Sequence, residues 1–198
     1  MTNKFIKLVQ IDGKLPNLAL MRLSSYYKNK GYGVDFTRSV NADLFDKKYK
    51  YIFASSIFQF SINRINKLKK NYPTAIIGGT GTQNWQLKTE DYIGNFYELD
   101  YSLYPDVDFS IGFSQRGCRL KCKFCVVPTK EGKNVSNDSI HKIWRGNPYP
   151  KNIILLDNDF FGQPREDWKS KIKEIQDGKF KINLNQGINI RLIDDEAA

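Results

Sequence analysis

All three cysteines of this 198-residue chain fall in one stretch, SQRGCRLKCKFCVVP (residues 114–128), as Cys118, Cys122 and Cys125. Three thiols cannot pair off completely into disulfides. The chain opens MTNKFIKLVQ, without an apolar signal core, and no apolar run reaches the length of about 18 residues that spans a bilayer. A cytoplasmic protein with reduced thiols and no membrane association is therefore expected. Cysteines that merely fill a core would be scattered over apolar faces, whereas these sit at C-x3-C-x2-C spacing among Arg116, Arg119, Lys121 and Lys123. Clustered cytosolic thiols of this kind serve as metal ligands or redox centres. A structural zinc site asks for four ligands, usually as two pairs, and this chain has no second pair and a single histidine, His141. Thiolates also select iron–sulfur clusters, where three cysteines leave one iron without a protein ligand, open to a substrate or cofactor.

The stretch CRLKCKFC, with an aromatic residue directly before its last cysteine, resembles the cluster motif of the radical S-adenosylmethionine (SAM) superfamily. The resemblance implies a [4Fe-4S] cluster on Cys118, Cys122 and Cys125, SAM chelated to the remaining iron, and Phe124 near the adenine. It makes DFSIGFSQRG (residues 108–117) the first strand of a (β/α) barrel, which delivers the cysteine loop at its carboxyl end, where such barrels keep their active sites. The alternation of Phe109, Ile111 and Phe113 ahead of Gly117 agrees with a strand. In KNIILLDNDFFG an apolar strand, Ile153–Leu156, runs into Asp157, Asn158 and Asp159. By resemblance this strand end meets the SAM amino group, a role commonly filled by Gly-Gly-Glu and here falling to the DND segment through a charge-assisted contact. Capping of the following turn is the alternative. After the helix REDWKSKIKEIQDG, the third strand KFKINLNQGINIRLI is polar at Asn183, Asn185, Gln186 and Asn189, which suits a cavity wall. The resemblance places Gln186 and Arg191 beside the ribose and carboxylate of SAM. His141, in SNDSIHKIWRG, lies far from any strand end and reads as a packed or surface residue.

These elements need a scaffold, and the first part of the chain alternates strand and helix. KFIKLVQI, GVDFTRSV, YKYIFASSIF and TAIIGGTG read as strands. LPNLALMRLSSYYKNKG, starting after Pro16 and ending near Gly31, and SINRINKLKKNYP, with Ile62, Ile65 and Leu68 at helical spacing, read as helices. The expected class is α/β: an N-terminal Rossmann/flavodoxin-like parallel sheet over residues 1–81, a linker over 82–107, and a partial radical SAM (β/α) barrel over 108–198. Gly78, Gly79 and Gly81 are not followed by Lys-Ser/Thr, so they read as a tight turn and not as a phosphate loop. The first domain resembles the one that precedes many radical SAM barrels and in some members binds cobalamin. The D-x-H-x-x-G ligand pattern is missing, and a domain without cobalamin is favoured. In the linker, Trp85, Tyr92, Tyr97, Tyr101 and Tyr104 read as anchors for a connector to both domains, with stacking on a base or sugar as the alternative.

The composition, 40% hydrophobic and 14% aromatic, supports a sizeable core and excludes a disordered tail. The net charge is +10, and between Arg116 and Lys133 the only acidic residue is Glu131. Such an excess attracts a reducing electron donor such as an acidic flavodoxin or ferredoxin, nucleic acid, or an anionic substrate; a solvated face is the plain alternative. Only three βα units are present where the family generally has six or more, so a partial chain is expected, or one whose barrel a second polypeptide completes. The expected function is radical SAM chemistry, a reduced cluster cleaving SAM to a 5′-deoxyadenosyl radical. The alternative is a non-enzymatic iron–sulfur electron carrier or a basic nucleic-acid-binding protein.

Overall fold

The computed structural model describes residues 4–133, 135–136, 138–186 and 188–193. The chain forms two units, Met1–Pro105 and Asp106–Ala198, both mixed α/β and each built on a parallel sheet.

In the first unit β1 (Phe5–Gln10), β2 (Gly33–Thr37), β3 (Tyr51–Ser55) and β4 (Ile76–Gly78) lie in the order β2-β1-β3-β4. Between β1 and β2 runs α1 (Leu18–Asn29). It starts where Asn17 Oδ1 accepts from the Leu20 amide at 3.1 Å, and it buries Leu20, Met21, Leu23 and Tyr27 at helical spacing. Between β3 and β4, α2 (Ile62–Asn71) lays Ile65 and Leu68 against Val9, Ile52, Ala54 and Ile77 of the sheet. No helix joins β2 to β3; residues 38–50 cross as a loop. The loop is pinned from the sheet by Lys7, whose ammonium pairs with Asp46 and donates to the Tyr72 hydroxyl at 2.8 Å. The hydroxyls of Tyr72 and Tyr49 also donate to Asp46. Burial works against the charge on Asp46, but Lys7, Tyr72, the Asp43 amide and Tyr49 outweigh it and hold the carboxyl down at about 2.

Residues 82–105, most of the stretch expected as a linker, fall within the first unit. The short helix α3 (Glu90–Ile93) places Glu90 2.5 Å from Arg22, Ser24 donates to Asp100 at 2.5 Å, and Tyr92 sits edge-on to Phe53. Tyr104 donates to Gln10 at 2.8 Å and accepts from the Asn17 amide. Tyr92 and Tyr104 thus tie this stretch to the first sheet and to the start of α1.

The second unit contains β5 (Ser110–Gly112), β6 (Gln115–Arg116), α4 (Val127–Lys130), β7 (Val135–Ser136), α5 (Ile140–Ile143), β8 (Asn152–Leu155), α6 (Arg165–Gly178) and β9 (Lys181–Leu184). Its sheet has the order β5-β8-β9, all parallel, while β6 and β7 form a separate antiparallel ribbon. One face of the sheet is covered by a core of Ile140, Ile153, Leu155, Phe160, Phe161, Trp168 and Phe180. The third strand is shorter than the sequence pattern implies: after Leu184 the chain turns, and Ile190–Leu192 is a single 3₁₀ turn. No helix among the described residues is long and apolar enough to cross a membrane.

Candidate metal centre

The cysteines follow the carboxyl end of β5. The β6–β7 ribbon pairs Gln115 with Ser136 and Arg116 with Val135, which closes the cysteine loop into a lobe. At its base Gly117 adopts φ +79°, and a Cβ there would lie 2.2 Å from the Lys133 carbonyl oxygen, so the two strands of the neck can approach this closely only with glycine. The Cys118 amide donates to the Gly132 carbonyl at 3.2 Å, and within the loop the Cys125 amide donates to the Cys122 carbonyl at 3.0 Å.

The end of β8 supports this neck. Asp157, 1% exposed, accepts from the Ser114 amide at 2.7 Å, the Gln115 amide at 3.1 Å and the Ser114 hydroxyl at 2.5 Å. Burial pushes its carboxyl up, while those three donors and the charge of buried Lys171 pull the other way. Asp159 pairs with Arg119 at 3.0 Å, and its amide donates to the Gln115 side chain. Asn158 donates to Glu131 at 3.3 Å. Glu131 also accepts from the Gly117 amide at 3.1 Å and pairs with Arg116 at 3.0 Å. Gln115 donates from its side chain to the carbonyls of Arg116 and Gly117, both at 2.7 Å. Glu131 and Gln115 are thus the hubs joining the loop to the DND segment, and sequence reasoning assigned neither a role. The one signal was that Glu131 is the lone acid in a basic run.

Of the residues expected at the site, Cys118 and Cys125 are half-buried, Cys122 is exposed, and none is in a disulfide. Burial pushes the Cys118 thiol up; the Leu120 amide opposes this, and Asp159, Cys125 and Cys122 add to it through their negative charge. A bound cation would offset the unfavourable charge of those neighbours on a Cys118 thiolate. Three soft donors on one short closed loop fit an iron–sulfur cluster in kind and number. No three His, Cys, Asp or Glu side chains among the described residues are arranged to hold a metal ion, so the three thiols are not gathered into a ligand set. Phe124 is 91% exposed. Gln186 and Arg191 are exposed after β9, and no side-chain hydrogen bond or ion pair among the described residues ties either of them to the loop. His141 rests edge-on against Phe180, 5.1 Å between centroids.

No protein-family model matches the chain, and comparison with curated proteins gives no significant match.

Proposed function

We propose that this is a radical SAM protein, with a Rossmann/flavodoxin-like first unit and the opening part of a (β/α) barrel as its second. The observation that carries this reading is the three-thiol loop at the carboxyl edge of a parallel sheet, its neck braced by the acidic end of the neighbouring strand. The chemistry that a reduced [4Fe-4S] cluster would supply here is the one electron for reductive cleavage of SAM to methionine and a 5′-deoxyadenosyl radical. Cys118, Cys122 and Cys125 would hold the cluster. Asp157 has both oxygens engaged by Ser114 and Gln115 and Asp159 pairs with Arg119, so these two position the neck, and the ammonium of SAM is assigned to the DND segment through the Asn158 side-chain oxygen. Phe124 is free to cover the adenine, and Gln186 and Arg191 are assigned to the ribose and carboxylate. The exposed Lys121 and Lys123 beside Cys122 suit the approach of an acidic flavodoxin or ferredoxin. No cobalamin is assigned to the first unit, which contains no histidine. The test is anaerobic incubation of the reconstituted, reduced chain with SAM and chromatography of the products. Equal amounts of methionine and 5′-deoxyadenosine are expected, and intact SAM after many hours would contradict the assignment.

A further inference from the structure

The carboxyl edge of the first unit's sheet carries a separate feature. The turn after β3 leaves Phe58 and Phe60 stacked, their ring centroids 5.0 Å apart and planes 11° from parallel. Phe58 is 41% and Phe60 80% exposed. The turn is held firmly. Asp12, from the turn after β1, accepts from the Ile57 amide at 2.7 Å, the Ser56 hydroxyl at 2.5 Å and the Phe58 amide at 3.3 Å. From the turn after β4, Thr80 donates to the Ile57 carbonyl and the Gly81 amide to the Ser56 carbonyl, each at 3.0 Å. A Cβ on Gly79 would lie 2.2 Å from the Ser56 carbonyl oxygen and one on Gly81 2.5 Å from that of Phe58. The glycines thus brace the aromatic turn by letting two backbones meet.

The 3₁₀ turn Gln59–Ser61, which carries Phe60, runs directly into α2, where Arg64 and Lys67 lie at i and i+3 as neighbours on the helix surface, with Lys70 one turn further. All three cations are exposed, and α2 contains no acidic residue. Among the described residues none of them is paired with a carboxylate; Arg64 instead donates to the Arg38 carbonyl at 2.8 Å. We propose that Phe58, Phe60, Arg64, Lys67 and Lys70 form a binding surface for single-stranded nucleic acid, bases stacking on the rings and phosphates tracking the cations. Rigid exposed rings beside a row of unpaired cations are what such a ligand uses, since every base has a π-face and every linkage a negative charge. A membrane fits less well: the exposed apolar residues Ile57, Phe58, Phe60 and Ile62 gather at the amino end of α2, while Ile65 and Leu68 are buried against the sheet, so no apolar stripe runs along the helix to lie in a bilayer interface. An acidic protein would use the cations but has no need of stacked rings. The surface lies wholly within the first unit and does not rest on the assignment of the cysteine loop.

Fluorescence anisotropy of the full chain with a labelled 20-nucleotide oligouridine tests this. Binding should weaken with salt, log K falling against log salt at roughly 0.7 per phosphate contacted. Phe58→Ala/Phe60→Ala should weaken binding by about 10-fold or more with the salt slope unchanged. Arg64→Gln/Lys67→Gln/Lys70→Gln should reduce the slope by about 2. These side chains are exposed, so circular dichroism of each variant should match the parent. No binding at low salt overturns the proposal. So does affinity unchanged in the phenylalanine variant, binding lost on Lys121→Gln/Lys123→Gln but kept in the α2 variant, or equal binding of polyglutamate or phosphatidylserine vesicles with the same sensitivity to the phenylalanines.

Discussion

Removing the Asp157 carboxylate should loosen the cysteine loop far more than an ordinary turn substitution would. In Asp157→Ala the amides of Ser114 and Gln115 lose their acceptor where Ser114 and Gln115 are both fully buried. Each stranded donor costs about 1–3 kcal/mol. Relief from burying a charge offsets part of this, and the Ser114 hydroxyl can rotate, so the net loss should be about 3 kcal/mol. Asp157→Asn keeps the volume and one oxygen. Placed where Oδ1 now sits, that oxygen still accepts from both amides, and the new NH₂ can donate to Ser114 Oγ, so the loss should be only about 1 kcal/mol. Hydrogen exchange followed by mass spectrometry on peptides covering residues 108–117 reads this directly. Exchange should be roughly 100-fold faster in Asp157→Ala and about 5-fold faster in Asp157→Asn. If Asp157→Ala matches the parent, the carboxylate is a simple turn residue. If Asn is as damaging as Ala, charge and not acceptor geometry is what holds the neck.

Three further outcomes follow from the structure. Gly117→Ala, which combines φ +79° with a 2.2 Å approach to Lys133, should cost about 2–3 kcal/mol and speed the reaction of the three thiols with a disulfide reagent; unchanged thiol kinetics would contradict the closed neck. Asp46 titrates near 3.8 unfolded and about 2 folded, so the stability it contributes is complete above about pH 4 and disappears as pH falls toward 2. With solvent screening that amounts to about 1–2 kcal/mol, and denaturant titrations should show Asp46→Asn lacking this segment of the acid profile. Cys122→Ala should abolish iron retention after anaerobic reconstitution, whereas His141→Ala, at a residue whose ring packs on Phe180, should leave it intact by colorimetric iron assay.

Most of the first sheet was legible because its strands are short apolar runs and its helices have one apolar stripe: α1 and α2 lie where Leu20, Leu23 and Tyr27, and Ile65 and Leu68, repeat at helical spacing. The loop at 38–50 was not, since nothing local shows that Lys7 will pair with Asp46, 39 positions away. Residues 82–105 read as a linker because their partners are remote: Glu90 meets Arg22 and Asp100 meets Ser24 across 68 and 76 positions. At the candidate site the cysteine spacing was plain in the sequence. The work of the DND segment was hidden, because Asp157 reaches Ser114 only once β5 and β8 are neighbours. Polar spacing likewise extended the third strand too far: beyond Leu184, Asn185 and Gln186 form a turn.

The proposed function requires that the cysteine loop hold a cluster with one iron left open for SAM. Electron paramagnetic resonance of the anaerobically reconstituted, dithionite-reduced chain, recorded with and without SAM, tests it most directly. A [4Fe-4S]⁺ signal is predicted, with about four irons per chain and g-values that change when SAM binds the open iron. A spectrum identical with and without saturating SAM, or a chain that retains no iron, would contradict the account.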